Sequence, residues 1–221
     1  MSRGRESLKR GSDRVPPRTR LLIVCEGERT EPGYFEGLRR ELRQPLVEIE
    51  IIPRAGVPKS VVERAREKKS EAEQLAKRRR DDNLMYDEVW CVFDVDRHPM
   101  LREAIQQARD NGLHTAISNP CFELWILLHF QDQRAALSGY DALCGCRKHV
   151  PRYAKRVSAE DYALLRASYN EAYGRAKALD EWQHGRGCAG ENPSTSVYIL
   201  TGRLRDLRDE RQILWALRAR E

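Results

Sequence analysis

Residues 90–98 read Trp-Cys-Val-Phe-Asp-Val-Asp-Arg-His, an apolar run that ends in two aspartates, Asp94 and Asp96. Side chains two apart on a strand point to the same side, so both carboxylates face one way where the strand runs out. Glu26 stands at the matching point of an earlier apolar run, directly after Leu21–Cys25. If the two strands are neighbours, three carboxylates converge at the carboxyl ends of a sheet, where open α/β folds bind ligands. Such acids repel one another unless a cation neutralises them, and all-oxygen donors suit Mg2+ or Mn2+. A cation held there polarises a phosphoryl oxygen and activates water, the chemistry of phosphodiester hydrolysis. Taken alone, the Asp-x-Asp pair fits an ion pair between Asp96 and Arg97 equally well. Glu26 favours the metal reading.

Other residues have two readings each. Glu123 sits in the apolar run Cys-Phe-Glu-Leu-Trp-Ile-Leu-Leu, where a charge needs a partner or a metal, and site involvement is favoured. Asn119 can cap the helix that follows or bind a phosphate at its N-terminus. Ser194 and Thr195 offer the same choice before Val197. Lys148, Arg152 and Lys155, with Tyr153 between them, suit a nucleic-acid groove or a solvated helix. Glu31 could join a metal shell, or simply be an acid in a first helical turn; Glu28 is similarly ambiguous. His98 follows the aspartates and either reaches the cleft or begins a solvent loop. His129, six residues after Glu123 and on a different helical face, is a second-tier site candidate whose more frequent reading is a satisfied core residue.

The elements that must position these residues are legible. Arg20–Cys25 reads as a buried strand, and Thr30 is expected to cap a helix running to Arg43, with Pro32 in its first turn. Val47–Ile52 is a second strand. Residues 59–82 form a charged helix with sparse apolar positions, among them Leu75. Glu88–Phe93 is a third strand, Pro99 opens a helix through Asp110, and Asn111-Gly112 ends it. Leu113–Ser118 is a fourth strand, and Pro120 falls in the first turn of an apolar helix. Alternation of this kind predicts an α/β parallel sheet with helices on both faces over 20–132. Past residue 132 strand signals vanish. Helices are expected over 159–169, 171–182, 197–207 and 212–219, a mainly helical C-terminal part (133–221) packed on the sheet.

The 221 residues suit one domain with an appendage, and 40% hydrophobic residues can fill a core. The net charge of +6 is concentrated in the first twenty residues, which alone carry +5. Residues 1–19 therefore read as a basic, disordered tail that lies on phosphates or serves as a solubilising arm. No apolar stretch is long enough for a membrane span, and the basic N-terminus has no secretory h-region. The six cysteines include no Cys-x-x-Cys pair; Cys144-Gly-Cys146 near His149 is poorly spaced for structural zinc. Free thiols and no export signal predict a cytoplasmic protein.

Longer motifs resemble those of RloB-like proteins. The match begins with Cys25-Glu-Gly-Glu-Arg-Thr-Glu-Pro32 and Tyr34-Phe35, and continues in Val89–Asp96. It is strongest in Ala116-Ile-Ser-Asn-Pro-Cys-Phe-Glu-Leu-Trp-Ile-Leu-Leu-His-Phe130, and ends with Asn192–Val197. The resemblance implies a divergent Toprim fold, a Rossmann-like sheet in which a Glu after the first strand and an Asp-x-Asp after the third form a Mg2+ site. Glu26, Asp94 and Asp96 match those positions, with Glu26 as acid/base or metal ligand and Glu123 as a further catalytic candidate. It also implies a nuclease acting on RNA, such as tRNA, or DNA in anti-phage defence, alongside an AAA/ABC-type, RloA-like ATPase. This chain has no P-loop, so the ATPase would be a separate subunit. The rival reading is a non-catalytic subunit that binds the ATPase and nucleic acid. A phosphatase is disfavoured because the Asp-x-Asp follows the third strand rather than the first.

Overall fold

The structure, a computed structural model, describes residues 18–43, 47–95, 98 and 100–218, with side chains to 213. Nearly all of the basic tail, and also Asp96, Arg97 and Pro99, lie outside the described residues.

The sheet has five strands in the order β2-β1-β3-β4-β5. They are β1 (Thr19–Cys25), β2 (Val47–Ile52), β3 (Glu88–Asp94), β4 (His114–Asn119) and β5 (Ser194–Thr195). The first four are parallel, and β5 pairs antiparallel with the end of β4. The expected α/β architecture with a helical C-terminal part is therefore present. β5 corrects the expectation that strands cease after residue 132: two residues are too short to leave a periodic signal. β1 also takes in Thr19, which is buried against Val47 rather than part of a tail.

Alternation along β1 and β3 divides the core. Leu22, Val24, Val89, Cys91 and Phe93 face α2 (Pro58–Arg79) and α3 (Leu101–Asp110), meeting Val61, Val62, Ala65, Ala104 and Ala108. Leu21, Ile23, Cys25, Trp90 and Val92 face the other way, toward α1 (Thr30–Leu42) and α4 (Glu123–Leu128). That second core extends into the C-terminal part: α5 (Gly139–His149), α6 (Ala159–Ala167), α7 (Tyr169–Gly185) and α8 (Val197–Arg218). Tyr153, Tyr162, Leu165, Tyr169 and Leu179 join Tyr34, Phe35 and Trp125 in one cluster.

Glycines let the helices approach. A Cβ on Gly33 would overlap the Val157 carbonyl, and one on Gly37 would enter the Tyr162 ring. The same seam carries a half-buried ion network. Arg205 grips Glu41 with two N–H donors at 2.8 and 3.0 Å, and the Tyr162 hydroxyl donates to the same carboxylate at 2.6 Å.

Several local expectations need correction. Thr30 does not cap α1; Arg29 occupies that position, and Thr30 is buried inside the first turn. α4 starts at Glu123, with Phe122 before it, rather than around Pro120. α8 is one helix where two were expected, because its polar middle (Arg-Asp-Glu-Arg) faces solvent without breaking the backbone pattern. α5, not expected, is closed by a Ser138–Asp141 capping box. Leu75 proves exposed on the outer face of α2.

Candidate active site

β1 and β3 run side by side with Cys25 opposite Val92, so both strands end at the same edge. The strand order reverses there, since β1 leads to β2 on one side while β3 and β4 extend on the other. This is the switch point at which α/β sheets form ligand crevices.

Glu26 continues the β1 pairing by one residue, donating its N–H to the Val92 carbonyl at 2.9 Å. Its side chain then crosses to β3. Oε2 accepts the Asp94 N–H at 3.0 Å, and Oε1 lies 3.2 Å from His98 Nε2. Asp94 ends β3 on the face of Trp90 and Val92, beneath the first turns of α1 and α4. Those turns bring two more acids, Glu31 (5% exposed) and Glu123 (4% exposed). Glu31 folds back over Gly27, where a Cβ would collide with its carboxylate. The nearby backbone N–H groups of Gly27 and of Glu31 itself favour the charged form of that carboxylate. Glu123 accepts the Tyr153 hydroxyl at 3.2 Å, and its carbonyl accepts Cys146 Sγ–H at 3.3 Å.

Glu26, Glu31, Asp94 and Glu123 line one cleft of about 330 Å3, with Arg29 and Lys155 also on its walls. Burial, then the charges of Glu31, Glu123 and Glu26, hold the Asp94 carboxyl well above the usual range. Burial pushes Glu31 up to about 7, with Glu123 and Glu26 adding to the rise. The side chains so placed are hard oxygen donors that resist sharing negative charge, which is the chemistry of a Mg2+ or Mn2+ site. Among the described residues, no three His, Cys, Asp or Glu side chains already form a group that could hold a metal ion. Asp96, the third expected ligand, lies outside them.

The remaining sequence candidates scatter. Lys155 lies on the cleft wall. Arg152 is exposed with φ 63°, and Lys148 is exposed in the last turn of α5; neither lines the cleft. Asn119 caps nothing: its side-chain amide donates to the Gly190 carbonyl at 3.0 Å, while Phe122 holds the position before α4. Ser194 and Thr195 form β5, Thr195 bonding Ser118 across the pair at 2.9 Å and accepting the Val197 N–H at 3.3 Å. His129 is buried against Tyr34 and Trp125, with Nδ1 2.8 Å from the Leu165 carbonyl. Burial lowers its pKa to about 4. Glu28 pairs with Arg54 at 3.6 Å.

Two contributors were not assigned to the acid cleft in the sequence. Tyr153 reaches Glu123 from the segment between α5 and α6, thirty positions away, and no local pattern announces such a contact. Arg29 lies inside the Cys25–Pro32 motif, where its charge beside Glu26 was the available signal.

No curated protein and no solved structure matches the chain. The family model described as RloB-like protein matches residues 21–204, which runs from β1 into the first turns of α8 and takes in every acid of the cleft. The chain belongs to the RloB-like protein family.

Proposed function

We propose that this protein is a divalent-metal-dependent phosphodiesterase of the Toprim type, cutting RNA or DNA as the effector of an ATPase-linked anti-phage defence system. The observation that carries the reading is the meeting of Glu26 and Asp94 at the β1–β3 switch point, with Glu31 and Glu123 packed around them. Glu26, Asp94 and, by its position in the motif, Asp96 would hold the ion, with Glu31 and Glu123 beside them. A divalent cation bound there supplies positive charge for a phosphoryl oxygen and lowers the pKa of water. The chain's own part is orientation. The Asp94 N–H and His98 orient the two Glu26 oxygens, so Glu26 would take a proton from the water whose oxygen bonds to phosphorus, while the P–O bond to the leaving oxygen breaks and that oxygen takes a proton from solvent. The family resemblance supports a separate ATPase as partner, which would govern when the cleft acts.

The test compares wild type with Asp94→Asn, expressed with and without the neighbouring ATPase, by gels of total RNA and chromosomal DNA. It is repeated on purified protein with Mg2+, Mn2+ or chelator. Metal-dependent fragments lost in the variant are expected. Intact RNA and DNA in every lane, with a phage trigger supplied, would overturn the reading in favour of a binding subunit.

A further inference from the structure

A second hollow, about 700 Å3 in volume, adjoins the acid cleft, and the two share Glu28 and Arg29 on their walls. Arg40 of α1 and Arg156 of the segment between α5 and α6 also line it. Acids line it too, but they are committed. Glu28 lies 3.6 Å from Arg54, and Glu36 lies 2.7 Å from Arg39. Glu160, exposed at the start of α6, lies in the field of Arg156 and of the helix's first N–H groups. Arg29, Lys155 and Arg156 are exposed, and among the described residues none has a carboxylate within ion-pair distance. Cationic side chains thus line the way from the acid cleft into the hollow.

The segment carrying Lys155 and Arg156 is held in place. Val150, Tyr153 and Val157 are buried anchors, while Arg152, Lys155 and Arg156 point out between them. Lys155 adopts φ 51°, a left-handed backbone that side-chain-bearing residues seldom take unless their surroundings impose it. Two contacts do so. The Tyr153 hydroxyl bonds Glu123 in the acid cleft, and Gly33 gives the Val157 carbonyl room against α1. Lys155 is thereby fixed on the cleft wall, with Arg156 directed into the adjoining hollow.

We infer that Arg29, Lys155 and Arg156, continued by Arg40, form the track along which the phosphodiester backbone of a single strand leaves the acid cleft. The inference rests on the hydrolase reading and adds the substrate's form and path. A recess of about 330 Å3 takes one nucleotide-sized group. A single strand inserts such a group freely, whereas a duplex must first unstack. Contacts of this kind read backbone charge, so binding is insensitive to sequence and sensitive to salt.

The experiment measures binding of a short labelled single strand, RNA and DNA in separate arms, to the full chain in chelator from about 50 to 200 mM salt. Lys155→Asn/Arg156→Ala removes two charges, and Asn tolerates the left-handed backbone. Lys77→Ala/Arg78→Ala removes the same charge from the exposed face of α2. The track variant is expected to bind about tenfold more weakly and to lower the log–log salt slope by about 0.7 per lost contact. The α2 variant is expected to match wild type, and circular dichroism confirms that both are folded. Equal losses in both variants, no loss in the track variant, tighter binding of a duplex, or no wild-type binding at the lowest salt would each overturn the track. The hydrolase reading fails separately, if wild type with Mg2+ or Mn2+ leaves the strands intact.

Discussion

Glu26 reaches from the end of β1 to β3 and accepts the Asp94 backbone N–H at 3.0 Å, tying the two acids into one unit. Glu26→Gln keeps a carbonyl oxygen for that bond but removes the charge. The variant is therefore expected to melt within about 2 °C of wild type and to lose at least about 100-fold in cleavage. Melting curves and cleavage assays on the same preparation check this. Retained cleavage would leave Glu26 a purely structural link.

Glu31 makes the empty cleft pH-sensitive. Its pKa rises from 4.5 in the unfolded chain to about 7 in the fold. The folded protein thus holds the proton more tightly, and stability present at low pH is lost as pH climbs through this window, by about 3 kcal/mol at most. In chelator, Glu31→Gln is expected to melt above wild type near about pH 8 and equal to it near about pH 4. Mg2+ or Mn2+ should narrow the gap at the higher pH by stabilising wild type. Thermal melts across that range decide it; parallel curves for the two proteins would contradict the assignment.

Two glycines separate site from scaffold. A Cβ on Gly27 meets the movable end of Glu31, whereas a Cβ on Gly33 meets the Val157 backbone carbonyl. Gly27→Ala is expected to reduce cleavage with little change in stability. Gly33→Ala is expected to cost about 2–3 kcal/mol, because a helix and a backbone segment must separate. Denaturant midpoints measured beside cleavage rates distinguish the two; equal stability of both variants would refute the contrast.

Glu41, Arg205 and Tyr162 bind α1, α8 and α6 together. Glu41→Ala leaves the Arg205 guanidinium, which also stacks 3.8 Å over the Tyr169 ring, without its carboxylate in a mostly buried seam. The expected loss is about 3 kcal/mol. Glu41→Ala/Arg205→Met should recover part of it, because the stranded charge is gone. Urea unfolding of both variants tests this, and a loss below about 1 kcal/mol in the single variant would mean that solvent already screens the pair.

The strands and the acids at their ends were legible because both are local. Leu21–Cys25 and Val89–Phe93 are continuous apolar runs, as expected of strands covered on both faces. The position of Glu26 and Asp94 at the strand ends follows from counting. Helix starts were less legible where a side chain had a non-local duty. Thr30 looks like a cap, yet it is buried inside the first turn with Arg29 before it. Pro120 looks like a first-turn proline, yet the helix begins three residues later, at Glu123. β5 left no trace, since two residues pair only because α7 and α8 deliver them to the edge of β4.

The sequence by itself therefore determined the order of the elements, the apolar faces of the sheet and the acids at the ends of β1 and β3. These depend on period and composition within a few residues. Only the tertiary structure decided that β1 and β3 are neighbours and that Glu31 and Glu123 are buried over the same cleft. It alone brought Tyr153, Lys155 and Arg156 from the C-terminal part to that edge. The reason is physical: such contacts join residues far apart in the chain and are fixed by how the helices pack, through the room left at Gly33 and Gly37 and the grip of Arg205 on Glu41.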